Sequence, residues 1–372
     1  MRVDLVDPPA YSPPYDHALA TALAQRGAAV RLVTSSFAYG DPPAAAGYTR
    51  DERFYRHAVG PAGSRRRALS KRAEHPLDML RYRRAVAADV VHFQWLTVPR
   101  LDLRLLPARP TVLTIHDPLE RGRPPLPASA FDRVNAIIVH SGYARERVIA
   151  QHGLVPARVH VIRHGVLGAG EAFCVPTTQN ASRVASNLPS ELQDTGEPVV
   201  LSFGLIRPYK GIETLLEAWR GITGAQLWIV GRPMMELSGP FAAAPAGARL
   251  VPRFVTAGEE AALFERADIV VLPYERSERF GFSGVLATAL GHGKAIVLSD
   301  IGGFTEVGEL GAAELVPPSD PAALHAGLER LIGDGEARAR LAAAAAKAAA
   351  EDYSWAAAAA ATLALYETIT TR

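Results

Sequence analysis

Short apolar runs alternate with amphipathic stretches along the whole chain. In the first half these runs are VDLV (3–6), VRLVTS (30–35), DVVHFQWL (89–96), TVLTIHD (111–117) and NAIIVHS (135–141). In the second half they are VVLSFG (199–204), QLWIVG (226–231), ADIVVLP (267–273), KAIVLSD (294–300) and AELVP (313–317). Buried parallel strands read as such short apolar runs, and helices between them cover both faces of the sheet. The pattern predicts an α/β protein with two Rossmann-like, doubly wound sheets.

Helix signals fall between these runs. Ile212, Leu215, Leu216 and Trp219 have the spacing of one apolar helix face. Helix starts are predicted at Ser141, at the Thr256/Glu259 capping box and at Asp320-Pro321. The alanine-rich stretch from Leu341 onwards has high helix propensity.

Residues 171–198 lack this periodicity and collect Ser, Thr, Asn, Gln and Pro, as an interdomain linker does. The prediction is therefore an N-terminal domain at 1–170, a linker at 171–198 and a C-terminal domain at 199–352, with a cleft between the domains. The terminal helix, 353–372, could pack back on the N-terminal domain.

Composition narrows the class of protein. Hydrophobic residues make up 48% of the 372 residues, and no apolar run approaches the roughly 18 residues of a membrane span. The start of the chain lacks the apolar core of a secretion signal. The single cysteine, Cys174, excludes a disulfide framework and a cysteine-rich zinc site. We expect a cytoplasmic protein.

Charge is distributed unevenly between the halves. Residues 1–170 hold 24 Lys and Arg against 14 Asp and Glu, whereas the remainder holds 16 against 24. A basic cluster contains Arg65, Arg66, Arg67, Lys71, Arg72, Arg81, Arg83 and Arg84. It could face an anionic lipid surface, which would make the protein peripheral at the inner membrane face, or it could face a phosphorylated acceptor. The alternative is a solvated surface, and no nucleic-acid motif accompanies the cluster.

Two cations precede the amphipathic helix at 212–219. Arg207 and Lys210 flank a proline in FGLIRPYKG, directly after an apolar strand. Cations near the positive end of a helix dipole repel it, unless an anion lies between them. The segment therefore predicts a phosphate-binding turn.

The segment FGLIRPYKGIETLLEAW, followed by ADIVVLPY and SGVLATALGHGKAIVLSDIGGFTEV, resembles the donor-binding domain of the family-4 retaining glycosyltransferases. LVTS, VVHFQWL, VLTIHD, IIVHS and HVIRHGV resemble the acceptor-side domain of that family more loosely. The resemblance covers nearly the whole chain. It implies the GT-B fold, in which two such domains face a central cleft.

The resemblance implies donor-binding roles for several residues. Arg207 and Lys210 would hold the diphosphate of a nucleotide sugar, with a UDP-sugar as the expected donor. The turn formed by Ser283, Gly284 and Val285 would bind phosphate through backbone N–H groups, although simple capping by Ser283 is an alternative. No metal is implied, and the chain has no D-x-D pair.

The chain departs from the family at the paired glutamates. Phe280 and Thr288 occupy those positions, so the chain resembles a subset that lacks this motif. We expect Thr288 to form one hydrogen bond to the donor, and Glu275 or Glu278 to substitute for the missing pair.

On the acceptor side the resemblance points to His116, with Asp117 beside it, as catalytic residues, against the alternative of a structural histidine. Tyr15, Asp16 and His17 lie in a proline-rich loop that replaces the glycine-rich loop of many members, and they are the candidates for acceptor binding.

The expected function is retaining transfer of a hexosyl group from a nucleoside diphosphate to a hydroxyl acceptor, which could be a glycan, a lipid-linked sugar or a small molecule. A nucleotide-sugar epimerase or a silent sugar-nucleotide binding protein is the alternative. A hydrolase is disfavoured, because Val285 occupies the place of the second glycine in the nucleophile-elbow pattern around Ser283.

Overall fold

The computed structural model describes residues 1–37, 42–117, 125–168, 187–237, 244–276 and 282–371. These form two compact units. The first contains Met1–Gly165 together with Ser354–Arg372, and the second contains Val166–Tyr353. Among the described helices, none has the length and apolarity needed to cross a bilayer.

The first unit contains a seven-stranded parallel sheet in the order β3-β2-β1-β4-β5-β6-β7. The strands are β1 (Arg2–Asp7), β2 (Ala29–Ser35), β3 (Thr49–Phe54), β4 (Val90–Phe93), β5 (Thr111–Thr114), β6 (Ala136–Val139) and β7 (Val159–Val161). The helices are α1 (Pro13–Gln25), α2 (Arg65–Ala85), α3 (Pro99–Leu105) and α4 (Gly142–His152). Strand order reverses between β1 and β4, which is where ligands bind in doubly wound sheets.

The second unit contains a six-stranded parallel sheet in the order β10-β9-β8-β11-β12-β13. Its strands are β8 (Val199–Phe203), β9 (Gln226–Val230), β10 (Ala248–Val251), β11 (Ile269–Leu272), β12 (Ala295–Ser299) and β13 (Glu314–Val316). Its helices are α5 (Ile212–Ala218), α6 (Ala257–Arg266), α7 (Gly284–Gly291), α8 (Gly303–Glu309), α9 (Pro321–Gly333) and α10 (Gly335–Glu351). Its strand order reverses between β8 and β11.

The chain returns to the first unit in helix α11 (Trp355–Thr370). Ala359, Leu365 and Tyr366 of α11 join a core cluster that also holds Leu19 of α1 and Leu5 of β1. Helix α11 therefore covers one face of the first sheet.

The predicted strands and helix starts are confirmed. Ser141 accepts a hydrogen bond from the Ala144 N–H, and Asp320 accepts one from the Ala323 N–H. Thr256 and Glu259 form the predicted capping box. The apolar face of α5 is buried as predicted.

The described end of the predicted linker packs on the second unit. Leu192 lies in its core, and Asp194 forms an ion pair with Arg266 (2.7 Å). Residues 169–186 of the chain, which include Cys174, lie outside the described residues.

Candidate active site

The turn after β8 places the two predicted phosphate-binding cations. Pro208–Lys210 form one turn of 3-10 helix, and Gly211 adopts a left-handed conformation (φ 64°) before α5 begins. A Cβ atom at Gly211 would lie 1.8 Å from the Pro273 carbonyl oxygen. Only glycine therefore allows this turn to pack against the end of β11.

Lys210 is buried, with 7% of its surface exposed. Its ammonium group donates a hydrogen bond to the Phe203 carbonyl (3.1 Å) and lies 5.3 Å from the centre of the Tyr274 ring. Burial, with a smaller contribution from the Arg207 guanidinium, lowers the Lys210 pKa to about 8. Across the described ranges, no carboxylate pairs with this ammonium group. A desolvated cation without a counter-charge attracts an anion.

Helix α7 begins beside this cation. A Cβ atom at Gly204 would lie 2.8 Å from Lys210 Nζ and 3.1 Å from Val285 Cγ2, so the ammonium group and the Val285 side chain lie beside each other at Gly204. The Ser283 side chain does not cap α7; its hydroxyl hydrogen-bonds the Tyr274 hydroxyl instead (3.2 Å). The capping alternative for Ser283 is therefore wrong. The first N–H groups of a helix have no partner within the helix, so those of Gly284 and Val285 can bind an anion.

Glu275 is held by two hydroxyl groups near the same turn. Thr214 donates to its Oε1 (2.8 Å), and Ser319 donates to its Oε2. The Glu275 N–H donates to the Tyr209 carbonyl (2.8 Å), which ties the end of β11 to the cationic turn. Glu278 and Phe280 lie outside the described residues.

Thr288 lies one turn into α7 and is buried. Its hydroxyl donates to the Gly284 carbonyl (3.1 Å) within the helix. A donor contact at Thr288 would therefore use the lone pairs of this oxygen rather than its proton.

His116 follows β5 in the first unit and is fixed on several sides. Its ring stacks on Trp95 (4.8 Å, 16°) and meets the edge of Tyr15 (4.8 Å, 89°). Its Nδ1 lies 3.1 Å from His140 Nε2, and its Nε2 lies 3.3 Å from the Gln94 amide. Burial, reinforced by the neighbouring histidines, lowers the His116 pKa well below its usual value. Asp117, the next residue, is exposed.

The three predicted acceptor-binding residues begin helix α1. Tyr15 is buried, and besides His116 its ring contacts His164 (4.8 Å) and Trp355 of α11 (5.0 Å). His17 is half-buried, with its Nδ1 3.1 Å from the Tyr48 hydroxyl. Tyr15 thus forms a wall behind His116 within the first unit.

Asp16 is buried against Asp7, the last residue of β1. Burial raises the pKa of both carboxyl groups, and the charge of Asp7 raises that of Asp16 further. Asp7 also accepts from the backbone N–H of Tyr11 (2.7 Å) and Ser12 (3.2 Å), and Ser12 accepts from Trp95 Nε1 (2.8 Å). This pair fixes the loop that precedes α1 beside Trp95.

The sequence analysis did not select Asp7, Gln94, Trp95 or Tyr366. Asp7, Gln94 and Trp95 follow or end apolar runs at the sheet reversal, so their position was a usable signal. Tyr366 carries no such signal, because it lies in an alanine-rich helix. Within the described ranges, no group of three or more His, Cys, Asp or Glu side chains could hold a metal ion.

Comparison with known proteins identifies the class. Residues 15–166 match the model of Glycosyltransferase Family 4, and residues 197–334 match that of Glycosyl transferases group 1. Together the two matches span most of the chain. The chain belongs to the family-4 glycosyltransferases and has the GT-B fold.

Two curated relatives agree with this assignment. D-inositol 3-phosphate glycosyltransferase of Kineococcus radiotolerans is 27% identical, over 86% of this chain and 82% of the relative. D-rhamnosyltransferase WbpZ of Pseudomonas aeruginosa is 30% identical, over 66% of this chain and 65% of the relative.

Solved structures share the fold. HepE of Anabaena, solved in complex with UDP and glucose, superposes with a TM-score of 0.71 at 17% identity, over 99% of this chain and 100% of that one. Sucrose-phosphate synthase of Thermosynechococcus elongatus gives a TM-score of 0.70 at 18% identity, over 100% and 99%.

Proposed function

We propose that this glycosyltransferase transfers a sugar from a nucleoside diphosphate to a hydroxyl acceptor with retention of anomeric configuration. The observation that carries the proposal is the buried Lys210 ammonium, which lies beside the uncapped start of α7. A diphosphate supplies the negative charge that this site lacks. The UDP complexes of HepE, which has the same fold, support a UDP-sugar as the donor.

The proposed chemistry depends on charge that develops on the leaving group. As the bond from the sugar to the diphosphate breaks, negative charge grows on the phosphate oxygens. Lys210, Arg207 and the N–H groups that start α7 stabilise this charge, and they are oriented before the reaction. We assign no side chain as a covalent nucleophile. Attack from the face that the diphosphate leaves, with a phosphate oxygen taking the acceptor proton, then gives retention.

The proposal also covers the surroundings of the acceptor. The exposed arginines of α2 would recruit a phosphate-bearing acceptor or the anionic surface of a membrane on the cytoplasmic side; they are Arg65, Arg66, Arg72, Arg81, Arg83 and Arg84. Leu69 and Leu77 of the same helix are 67% and 55% exposed. Apolar and basic residues on one exposed helix face suit a lipid surface.

The test is a donor and acceptor screen of the full chain. Thermal unfolding is first measured with each nucleoside diphosphate, because a ligand of the native state raises the melting temperature. Active donors are then incubated with glycan, inositol phosphate and lipid-linked acceptors, and the anomeric configuration of the product is read by NMR. We expect stabilisation by UDP and a product with retained configuration. Inverted product would overturn the retaining assignment, and an altered free sugar nucleotide would indicate an epimerase.

A further inference from the structure

A hydrogen-bonded chain crosses the first unit from its last helix to His116. We call the following five residues, in order, the histidine chain: Tyr366, His92, Gln94, His116 and His140. The Tyr366 hydroxyl lies 2.6 Å from His92 Nδ1. Gln94 Nε2 lies 3.3 Å from His92 Nε2, and Gln94 Oε1 lies 3.3 Å from His116 Nε2.

One end of the chain fixes where its protons lie. His140 Nδ1 is 2.9 Å from the Ile162 carbonyl oxygen, which can only accept, so His140 Nδ1 carries a proton. A neutral His140 therefore has a bare Nε2, and this nitrogen accepts from His116 Nδ1 at 3.1 Å. The proton of His116 thus lies on Nδ1.

The same assignment of donors and acceptors determines the orientation of the Gln94 amide. A neutral His116 has no proton on Nε2, so its neighbour at Gln94 must be the NH₂ group rather than the oxygen. This turns the amide over relative to its placement in the structure, so that its oxygen faces His92 Nε2, which donates to it or to the Thr114 hydroxyl (2.7 Å). His92 Nδ1 is left to accept from the Tyr366 hydroxyl. Every donor in the chain then has an acceptor.

The opposite orientation of the Gln94 amide requires a charged His116. With the amide oxygen toward His116, both nitrogens of that ring must carry protons. The titratable groups that face His116 are Tyr15 from α1, His92 from β4, His140 after β6 and His164 after β7. Burial lowers the pKa of His92 and His164 to about 3 and that of His140 to about 4, so a further positive charge is disfavoured there.

We infer that Gln94 and His140 are positioning residues, which hold the His116 ring with its proton on Nδ1 and both nitrogens engaged, and that Tyr366 donates to the remaining nitrogen of His92 at the other end of the chain. His116 is therefore a neutral imidazole ring of fixed orientation, and it transfers no proton. That this ring serves glycosyl transfer rests on the proposed function.

The experiment uses Gln94→Glu in the full chain. A carboxylate at this position only accepts, so it draws a proton onto His116 Nε2. Side-chain ¹⁵N NMR, recorded without any sugar nucleotide, should show His116 protonated on Nδ1 alone in the wild type at pH 7, and on both nitrogens in Gln94→Glu. A wild-type His116 protonated on Nε2 alone overturns the inference, as does an unchanged His116 in Gln94→Glu.

Turnover provides the second readout. Positive charge develops on the sugar in the transition state, so a charged His116 should slow the reaction. We expect the kcat of Gln94→Glu to be at least tenfold lower at pH 6 than at pH 8.5, with a donor KM within twofold of the wild type, whose own kcat should stay flat over this range. An equal loss at both pH values means that Gln94 is only structural.

Two further variants complete the design. Tyr366→Phe removes the hydroxyl that donates to His92 Nδ1 but leaves the acceptors of Nε2, so His92 should stay protonated on Nε2 while its Nδ1 resonance moves. A wild-type His92 protonated on Nδ1 would count against the inference even if Gln94→Glu does not fold. His152→Gln is the matched control, because this buried histidine donates to the Leu126 carbonyl (2.8 Å) outside the histidine chain. If the spectra agree but no sugar transfer occurs, the proposed function fails and the proton assignment stands.

Discussion

Lys210 is a buried cation, and a bound anionic ligand would neutralise its charge. Its burial costs free energy in the unliganded protein, and a bound diphosphate recovers that cost through a charge-assisted hydrogen bond. Removing this contact should cost about 1.5–3 kcal/mol of binding free energy, which is roughly a 10- to 150-fold loss of affinity. We therefore expect Lys210→Ala to weaken UDP binding by that factor, measured by titration calorimetry.

The matched control for this prediction is Lys294→Ala. Lys294 also has a pKa lowered by burial, and it donates to the Glu265 carbonyl (2.8 Å) away from the turn. Its removal should leave UDP affinity unchanged. Equal affinities in the wild type and in Lys210→Ala would contradict the phosphate site.

The Lys210 pKa of about 8 also predicts how donor binding depends on pH. Below that pH the ammonium is charged and attracts phosphate; above it the charge is lost. Bound phosphate raises the pKa, so affinity should decline progressively as pH rises above 8. UDP titrations at pH 7, 8, 9 and 9.5 test this, and Lys210→Ala should show a flatter profile. A wild-type affinity that does not change over this range would exclude Lys210 as the contact.

Helix α2 presents two chemically different faces. Arg65, Arg66 and Arg72 are exposed, whereas Lys71 is half-buried, with its Nζ 4.8 Å from the centre of the Tyr55 ring, and Arg67 donates to the Ala58 carbonyl (3.2 Å). The basic cluster is therefore narrower than its sequence suggests. Arg81, Arg83 and Arg84 at the end of the helix are also exposed, so six arginines of α2 are available to a partner.

Replacing Arg65, Arg66 and Arg72 with alanine should weaken binding to anionic vesicles by about 100-fold, since each cation near such a surface contributes about 1 kcal/mol. Co-sedimentation with phosphatidylglycerol and phosphatidylcholine vesicles measures this. Arg26→Ala/Arg100→Ala/Arg109→Ala makes the same change of net charge at dispersed exposed positions and should bind like the wild type. If both triple variants bind alike, the α2 face is solvated; if only the acceptor KM changes, the partner is a soluble phosphate-bearing acceptor.

Sequence periodicity predicted the interior strands and missed three edge strands. β3, β7 and β10 each end a sheet, and none was predicted. β3 reads TRDERF and β7 has only three residues, so neither forms a long apolar run. An edge strand is less enclosed than an interior one, so its sequence keeps polar residues.

The candidate site could be predicted only where residues that act together are close to each other in the sequence. Arg207 and Lys210 stand out because two cations precede one helix. The contact of Tyr366 with His92 spans 274 residues, and nothing near Tyr366 in sequence indicates it. Capping by the Ser283 hydroxyl was the alternative prediction, because serine commonly caps helices, but this hydroxyl bonds Tyr274 instead. The sheet brings such partners together only after folding.

The buried histidines predict how the stability of the whole molecule depends on pH. In the unfolded chain each histidine takes up a proton near pH 6.5. In the folded protein His92, His140 and His164 stay neutral until about pH 3–4. The unfolded state therefore binds more protons between these values, so the free energy of unfolding should fall as pH drops from 6.5 toward 4, with no contribution above 6.5.

Urea unfolding at pH 7.5, 6.5, 5.5 and 4.5 measures this dependence. The Asp7–Asp16 pair, with raised pKa values, acts in the opposite direction, so the comparison that matters is between the wild type and His140→Gln. On unfolding, His140→Gln should take up about one proton fewer than the wild type over the pH range in which the folded histidine stays neutral. Parallel curves for the two proteins would mean that His140 titrates normally in the folded state.

The return of the chain to the first unit in α11 has a consequence for synthesis on the ribosome. Leu365 and Tyr366 belong to the core that also holds Leu5 and Leu19, and the whole second unit is translated between these segments. At roughly 5–20 residues per second, that interval lasts on the order of 10–40 s. During this time the apolar face of α1 lacks its cover and His92 lacks the Tyr366 hydroxyl. The nascent first unit thus keeps apolar surface exposed until α11 emerges, while the second unit, continuous in sequence, can fold first.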